Sequence, residues 1–125
     1  LRDAQGGDVN ALFPPEEHRF GVHAGDTETS MMLALRPERV RMDLAQNFRS
    51  TSQDRAERFE ILGNGKSAKL GWQMQDYNHH GAAGHALAAT AEKGQALLDA
   101  SGRALAKLLG EIDQLPPDTL TDQVG

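Results

Sequence analysis

A chain of 125 residues fits one small domain or part of a larger one. Its net charge of −5, without a long basic run, argues against nucleic acid as a partner, and its 38% hydrophobic and 5% aromatic content gives a lean core that docking against further structure would stabilise. The absence of cysteine excludes disulfides and thiolate metal sites and is compatible with the cytoplasm, while the short apolar runs neither span a membrane nor form a signal peptide.

Leu1 to Pro15 is rich in Gly, Asp and Asn, ends in Pro14-Pro15 and reads as an irregular connection. Glu16 to Val22 leads into a polar loop, His23-Ala24-Gly25-Asp26-Thr27-Glu28-Thr29-Ser30, followed by the apolar run Met31 to Leu35. A helix is expected there, with Asp26 or Thr27 as its cap and Glu28 in its first turn, where the helix dipole favours a negative charge. Met31, Met32 and Leu35 supply its buried face, and Pro37 stops it. Val40, Met42 and Leu44 alternate with charged residues, which fits either a short strand or a further helical turn.

Ser50 to Glu60 reads as a surface loop with a helical patch, and Gly63-Asn64-Gly65 as a turn. Leu70 to Gln75 alternates with the period of a half-buried strand, and Asp76 to Gly84 is loop-like. The clearest element is a helix over about Ala91 to Leu115. Leu98, Leu105, Leu109 and Ile112 share one face, flanked by Leu97, Leu108 and Leu115. Thr90 is its expected N-cap, Pro116-Pro117 ends it, and residues 118–125 form a frayed tail.

Two segments carry a resemblance. "HAGDTETSMMLALRPERVRMD", from His23 to Asp43, resembles the His-Ala-Gly-x-x-Glu-Thr-Ser segment of the creatininase family of metal-dependent amidohydrolases. "DYNHHGAAGHALAATAEKGQALL", from Asp76 to Leu98, is similar to that family's Gly-x-x-Gly-x-x-x-x-Ala-Thr-x-Glu-Lys-Gly segment. Family members are about twice as long, and their first half carries the Glu-x-His-Gly and Asn-Gly-His-Gly-Gly-Asn segments that supply most metal ligands. Neither occurs here. The resemblance therefore implies that residues 1–125 are the C-terminal half of a single creatininase-like domain, with residues 1–20 as a connecting segment. The fold class is α/β, and the resemblance implies a three-layer α/β/α sandwich with a mostly parallel sheet and a cleft at the strand ends.

Five residues apart, His23 and Glu28 match no metal signature, and from the residues alone Glu28 is a first-turn acid and His23 a satisfied loop histidine. The resemblance implies catalytic roles instead. His23 would contact the substrate or protonate the leaving nitrogen, and Glu28 would bind a metal or steer the attacking water. Where creatininase proper has a Trp-Asp pair before this histidine, the chain has Arg19 and Phe20, which puts creatinine itself in doubt as substrate. Asp26 reads as a cap before a substrate contact. His79, His80 and His85 fit a cleft rim or subunit contact better than a metal site, Trp72 is expected in the core, and Tyr77 is left open. No phosphate-binding loop or nucleophile triad is present.

The resemblance thus implies hydrolysis of a C–N bond in a small amide or cyclic amide. It implies two divalent ions (zinc, manganese or iron), with most ligands in an N-terminal half. It also implies a homo-oligomer, a hexamer being the family's tendency. The competing expectation is a non-catalytic interaction module.

Overall fold

The computed structural model describes residues 1–62 and 68–122. The turn expected at Gly63-Asn64-Gly65 and the last three residues of the expected tail lie outside the described residues. The N-terminal stretch is more ordered than its composition implies. Asp8 accepts from the Asn10 N–H and caps a 3-10 turn, Val9–Leu12, whose Val9 and the following Phe13 are buried. Pro14-Pro15 opens α1 (Pro15–Phe20) because a proline at the first helical position gives up an N–H that has no partner there.

Helix α2 (Asp26–Leu35) follows the polar loop, and its N-cap is Gly25 with no side-chain cap. The expected capping by Asp26 or Thr27 is therefore corrected. Asp26 is the first helical residue, fully buried, and its carboxylate turns inward to Ser30 and Lys93. The expected buried face is corrected at Met32 and Leu35, while Met31 does pack against the core. Met32 and Leu35 are exposed and Met31 is half-buried, whereas the face against the rest of the chain is Asp26 and Ser30. Small and polar residues face inward because the next helix approaches too closely for larger ones.

That helix is α5 (Ala91–Asp113), close to its expected bounds and capped by Thr90, whose side chain accepts from the Lys93 N–H. Gly94 sits so close to α2 that a Cβ on it would lie 1.9 Å from the Ser30 carbonyl oxygen. Around this contact, Val9, Phe13, Leu97 and Ala100 form the buried apolar cluster, with Met31 and Ala96 packed against it. A buried polar chain crosses the same interface. Lys93 Nζ donates to Asp26 Oδ2 at 2.6 Å and to the Ala88 carbonyl at 2.6 Å, and lies 5.3 Å from the centre of the Phe13 ring. Ser30 Oγ donates to Asp26 Oδ1 and accepts the Thr90 N–H.

Between the two helices the chain is mostly irregular. Residues 37–44 form two 3-10 turns, Pro37–Arg39 and Met42–Leu44, and no strand, so the helical alternative holds there. A two-residue strand, β1 (Asn47–Phe48), pairs antiparallel with β2 (Gly84–His85), matching Asn47 to His85 and Phe48 to Gly84. The helical patch expected after Ser50 is α3 (Thr51–Arg58), with Ser50 accepting from the Ser52 N–H. No strand forms over Leu70 to Gln75. A short helix, α4 (Met74–Tyr77), begins there instead, capped reciprocally by Gln73 and Asp76. Trp72 is half exposed and meets Tyr77 edge-on, with ring centres 4.9 Å apart, so its expected place in the core is corrected.

A mixed architecture of helices and a small sheet results. The two-stranded pairing is antiparallel, and the mostly parallel sheet implied by the resemblance is not formed among the described residues. A strand pair this short cannot organise layers, and the packing of α2 on α5 does so instead. No helix among the described residues is long and apolar enough to cross a membrane.

Candidate functional site

The polar loop at the start of α2 is held from both sides. Its entry pairs with the loop before β2: the Val22 and His23 N–H groups donate to the Ala83 carbonyl, and the Ala83 N–H donates to the His23 carbonyl at 2.9 Å. The two segments that carry the family resemblance are thus in direct backbone contact, and Ala83 at their junction is fully buried. At Ala24 the chain turns through the left-handed region with φ of 54°, which costs a residue with a Cβ about 1–2 kcal/mol. The turn aims the Ala24 N–H at Glu28 Oε2, which accepts it.

The same oxygen lies 3.6 Å from His23 Nδ1. The structure thus brings the two expected site residues together on the solvent side of the loop. Both side chains are about half exposed, 57% for His23 and 49% for Glu28. They border a shallow cavity of about 270 Å³ with Glu17, His18, Gly21, Val22, Gly25 and Thr27. Fixed by a backbone N–H, the carboxylate can orient the imidazole through Nδ1. The opposite ring nitrogen is then left for a bound molecule, the arrangement that proton transfer to a positioned substrate requires.

His79, His80 and His85 do not border this cavity. His79 and His80 are exposed and lie ring against ring, with centres 4.0 Å apart, and His80 meets Phe48 edge-on. His85 is on β2, and its Nδ1 is buried without a hydrogen-bond partner among the described residues. No three His, Cys, Asp or Glu residues converge closely enough to hold a metal ion among the described residues. The donor set described here does not by itself fit a metal centre.

Three residues matter to the site's geometry through partners that the sequence does not reveal, and of these Glu17 lies outside both family segments. Glu17 accepts the Thr27 N–H at Oε1 and the His85 N–H at Oε2, both at 3.2 Å. Lys93 reads from sequence as helix-start packing, yet it neutralises the buried Asp26 directly beneath the loop. Asp26 reads as a cap for want of any sign of that distant lysine. Farther off, the Arg41 guanidinium donates to both Asp43 oxygens and holds that exposed carboxyl below the usual carboxylate range.

Comparison with known proteins bears on this site as a whole. No curated protein matches the chain. Among solved structures, it is similar to a protein from Bacteroides fragilis named as a putative creatinine amidohydrolase, with 26% identity and a TM-score of 0.62. The match covers 89% of this chain but 43% of that one, so the present sequence spans less than half of its structural relative. The creatininase family model, described as creatinine amidohydrolase, matches residues 3–109, a span containing both segments that meet at His23 and Ala83. On that match the chain belongs to the creatininase family.

Proposed function

We propose that this chain is the C-terminal half of a creatininase-like domain whose whole hydrolyses a C–N bond in a small amide or cyclic amide. The observation that carries the reading is the His23–Glu28 pair, 3.6 Å apart at a cavity edge where the two family segments join. Family membership supports amidohydrolase chemistry in general. In this reading the Ala24 N–H fixes Glu28, and Glu28 faces His23 Nδ1. The far imidazole nitrogen then hydrogen-bonds the substrate or protonates the nitrogen that leaves when the C–N bond breaks.

The family is generally metal-dependent, and the residues described here do not complete a metal site. Zinc, manganese or iron would therefore be held chiefly by an N-terminal half, with Glu28 as the ligand proposed from this one. The three-layer sandwich with its mostly parallel sheet, the homo-oligomer, a hexamer by the family's tendency, and the cytoplasmic location belong to the same proposal. So does the division into a connecting segment over residues 1–20 and a tail over residues 118–125.

In the full-length protein, His23→Ala and Glu28→Gln should each lower kcat/KM for small-amide hydrolysis by about 10²-fold or more. Unchanged turnover in both would remove the site assignment.

A second reading, a non-catalytic interaction module, is favoured by one feature. Leu105, Leu108, Leu109, Ile112 and Leu115 on and just beyond α5 are all half exposed. Intact mass and metal content of the purified material separate the two. A companion half with stoichiometric metal supports the hydrolase, and a lone metal-free chain after metal-supplemented preparation supports the module.

A further inference from the structure

We infer that Glu17 is a positioning residue for the His23–Glu28 site, an inference that rests on the hydrolase reading above. Glu17 lies on α1, outside both segments that carry the family resemblance, and its carboxylate sits where those segments meet. Oε1 accepts the Thr27 N–H from the first turn of α2, and Oε2 accepts the His85 N–H from β2. One side chain therefore ties α1 to the start of α2, ten residues on, and to β2, 68 residues on.

The space around it is shaped to the carboxylate. A Cβ on Gly25 would lie 2.4 Å from Glu17 Oε1, and a Cβ on Gly84 would lie 3.2 Å from Oε2 and 2.5 Å from the Gly25 Cα. Both glycines thus leave room for this one group, and Gly84 also takes a φ of +147° that other residues rarely adopt. The N-terminus of α2 offers the Thr27 N–H to Glu17 and not to a cap from its own loop, since Gly25 has no side chain to supply one.

Its placement connects this bracing to the chemistry. Glu17 lines the cavity of about 270 Å³ that His23 and Glu28 border. It also lines a neighbouring cavity of about 210 Å³ with Phe20, Asn47, Phe48 and His85. The residues between its two hydrogen bonds and His23 are few: Ala24, Gly25 and Asp26 on one side, Ala83 and Gly84 on the other, and Glu28 directly follows Thr27. Loss of the clasp frees the backbone that sets the His23–Glu28 distance, and a misplacement of about 1 Å costs up to about 10²-fold in rate. Glu17 acts through His23 and Glu28, and in this role it need not touch the reacting atoms.

The test uses the full-length protein with Glu17→Gln, which keeps the size of the side chain but faces one N–H with a donor, and Glu17→Ala. N-methylformamide and 2-pyrrolidinone serve as amide and cyclic-amide probes, and the His23 ring signal, assigned through His23→Ala, is followed by ¹H–¹³C NMR. Glu17→Gln should lower kcat about tenfold and Glu17→Ala about a hundredfold, with KM within about twofold, because a lost transition-state alignment appears in kcat. The His23 signal should shift in both variants without substrate, so the positioning is read even if neither probe is turned over. Gly25→Ala, which displaces the same carboxylate from the other side, should reproduce both effects, and combining it with Glu17→Ala should add little further.

An unmoved His23 signal with kcat within twofold of the parent overturns the inference. So does a loss confined to the unfolding temperature, or failure of the isosteric Glu17→Gln to fold, since either makes Glu17 a stabilising residue alone. If His23→Ala retains full turnover, the hydrolase reading itself falls. If His23→Ala is inactive while Glu17→Gln is unaffected, only the role of Glu17 falls.

Discussion

At the scale of single residues, the site rests on a buried charge pair that the loop conceals. Asp26 is wholly buried and Lys93 nearly so, and they meet at 2.6 Å with the remaining bonds supplied by Ser30 and the Ala88 carbonyl. Removing one partner leaves an uncompensated charge, which costs far more than replacing both. Lys93→Ala should therefore destabilise the protein by about 3–5 kcal/mol, whereas Lys93→Met combined with Asp26→Leu should cost clearly less. Denaturant unfolding of the single and double variants measures the difference, and equal losses would mean that the pair contributes through packing alone. The His-Ala-Gly-x-x-Glu-Thr-Ser segment singles out His23 and Glu28 by residue identity, and the fold sets them 3.6 Å apart. Asp26 and Lys93 were not legible as a pair, since a salt bridge across 67 positions leaves no local periodicity or spacing to read.

At the scale of elements, regular helices were readable and irregular backbone was not. Thr90 as cap and an apolar stripe placed α5 to within about two residues of its ends, as cap and periodicity signals do. The alternation of Leu70 to Gln75 misled, because a period of two marks a strand only where another strand pairs with it, and here the backbone turns into α4. The apolar run in α2 misled about which face is buried. Close approach at Gly94 selects the small polar side, leaving Met32 and Leu35 outside. That approach gives the sharpest prediction at this scale. A methyl group at position 94 would meet the backbone of Ser30, which cannot move without shifting α2 and the loop it carries. Gly94→Ala should cost at least about 1–3 kcal/mol despite its better helix propensity, as overpacking does. Thermal unfolding that is unchanged or improved in this variant would show that the helices can separate freely.

At the scale of the whole molecule, the packing is unevenly distributed. The first turns of α5 carry Gly94, Leu97 and Ala100 against the rest of the chain, while residues 102–122 are exposed. The leucine stripe recognised in the sequence is present, yet little of it is used within these 125 residues, which accords with a chain spanning 43% of its structural relative. Replacing Leu105, Leu109 and Ile112 together with Ser should change the unfolding free energy of this chain by less than about 1 kcal/mol, because few contacts within the chain are lost. In the longer, oligomeric protein proposed above, the same triple change should lower stability or oligomer size, read by sedimentation. If both proteins are insensitive, the stripe has no partner to cover it.

The backbone junction of His23 with Ala83 also has a consequence in time. The links that shape the site join positions 60, 67 and 68 apart. Closing loops of that length costs entropy before any contact returns it, so such links form after local helices do. As the polypeptide folds, α5 acquires its hydrogen bonds early, whereas the imidazole and carboxylate meet their final geometry only when the two distant segments have closed on each other. During refolding of the full-length protein, helical circular dichroism should therefore return ahead of competence at the His23–Glu28 site. A chain interrupted in that closure would be helical and yet lack the site altogether.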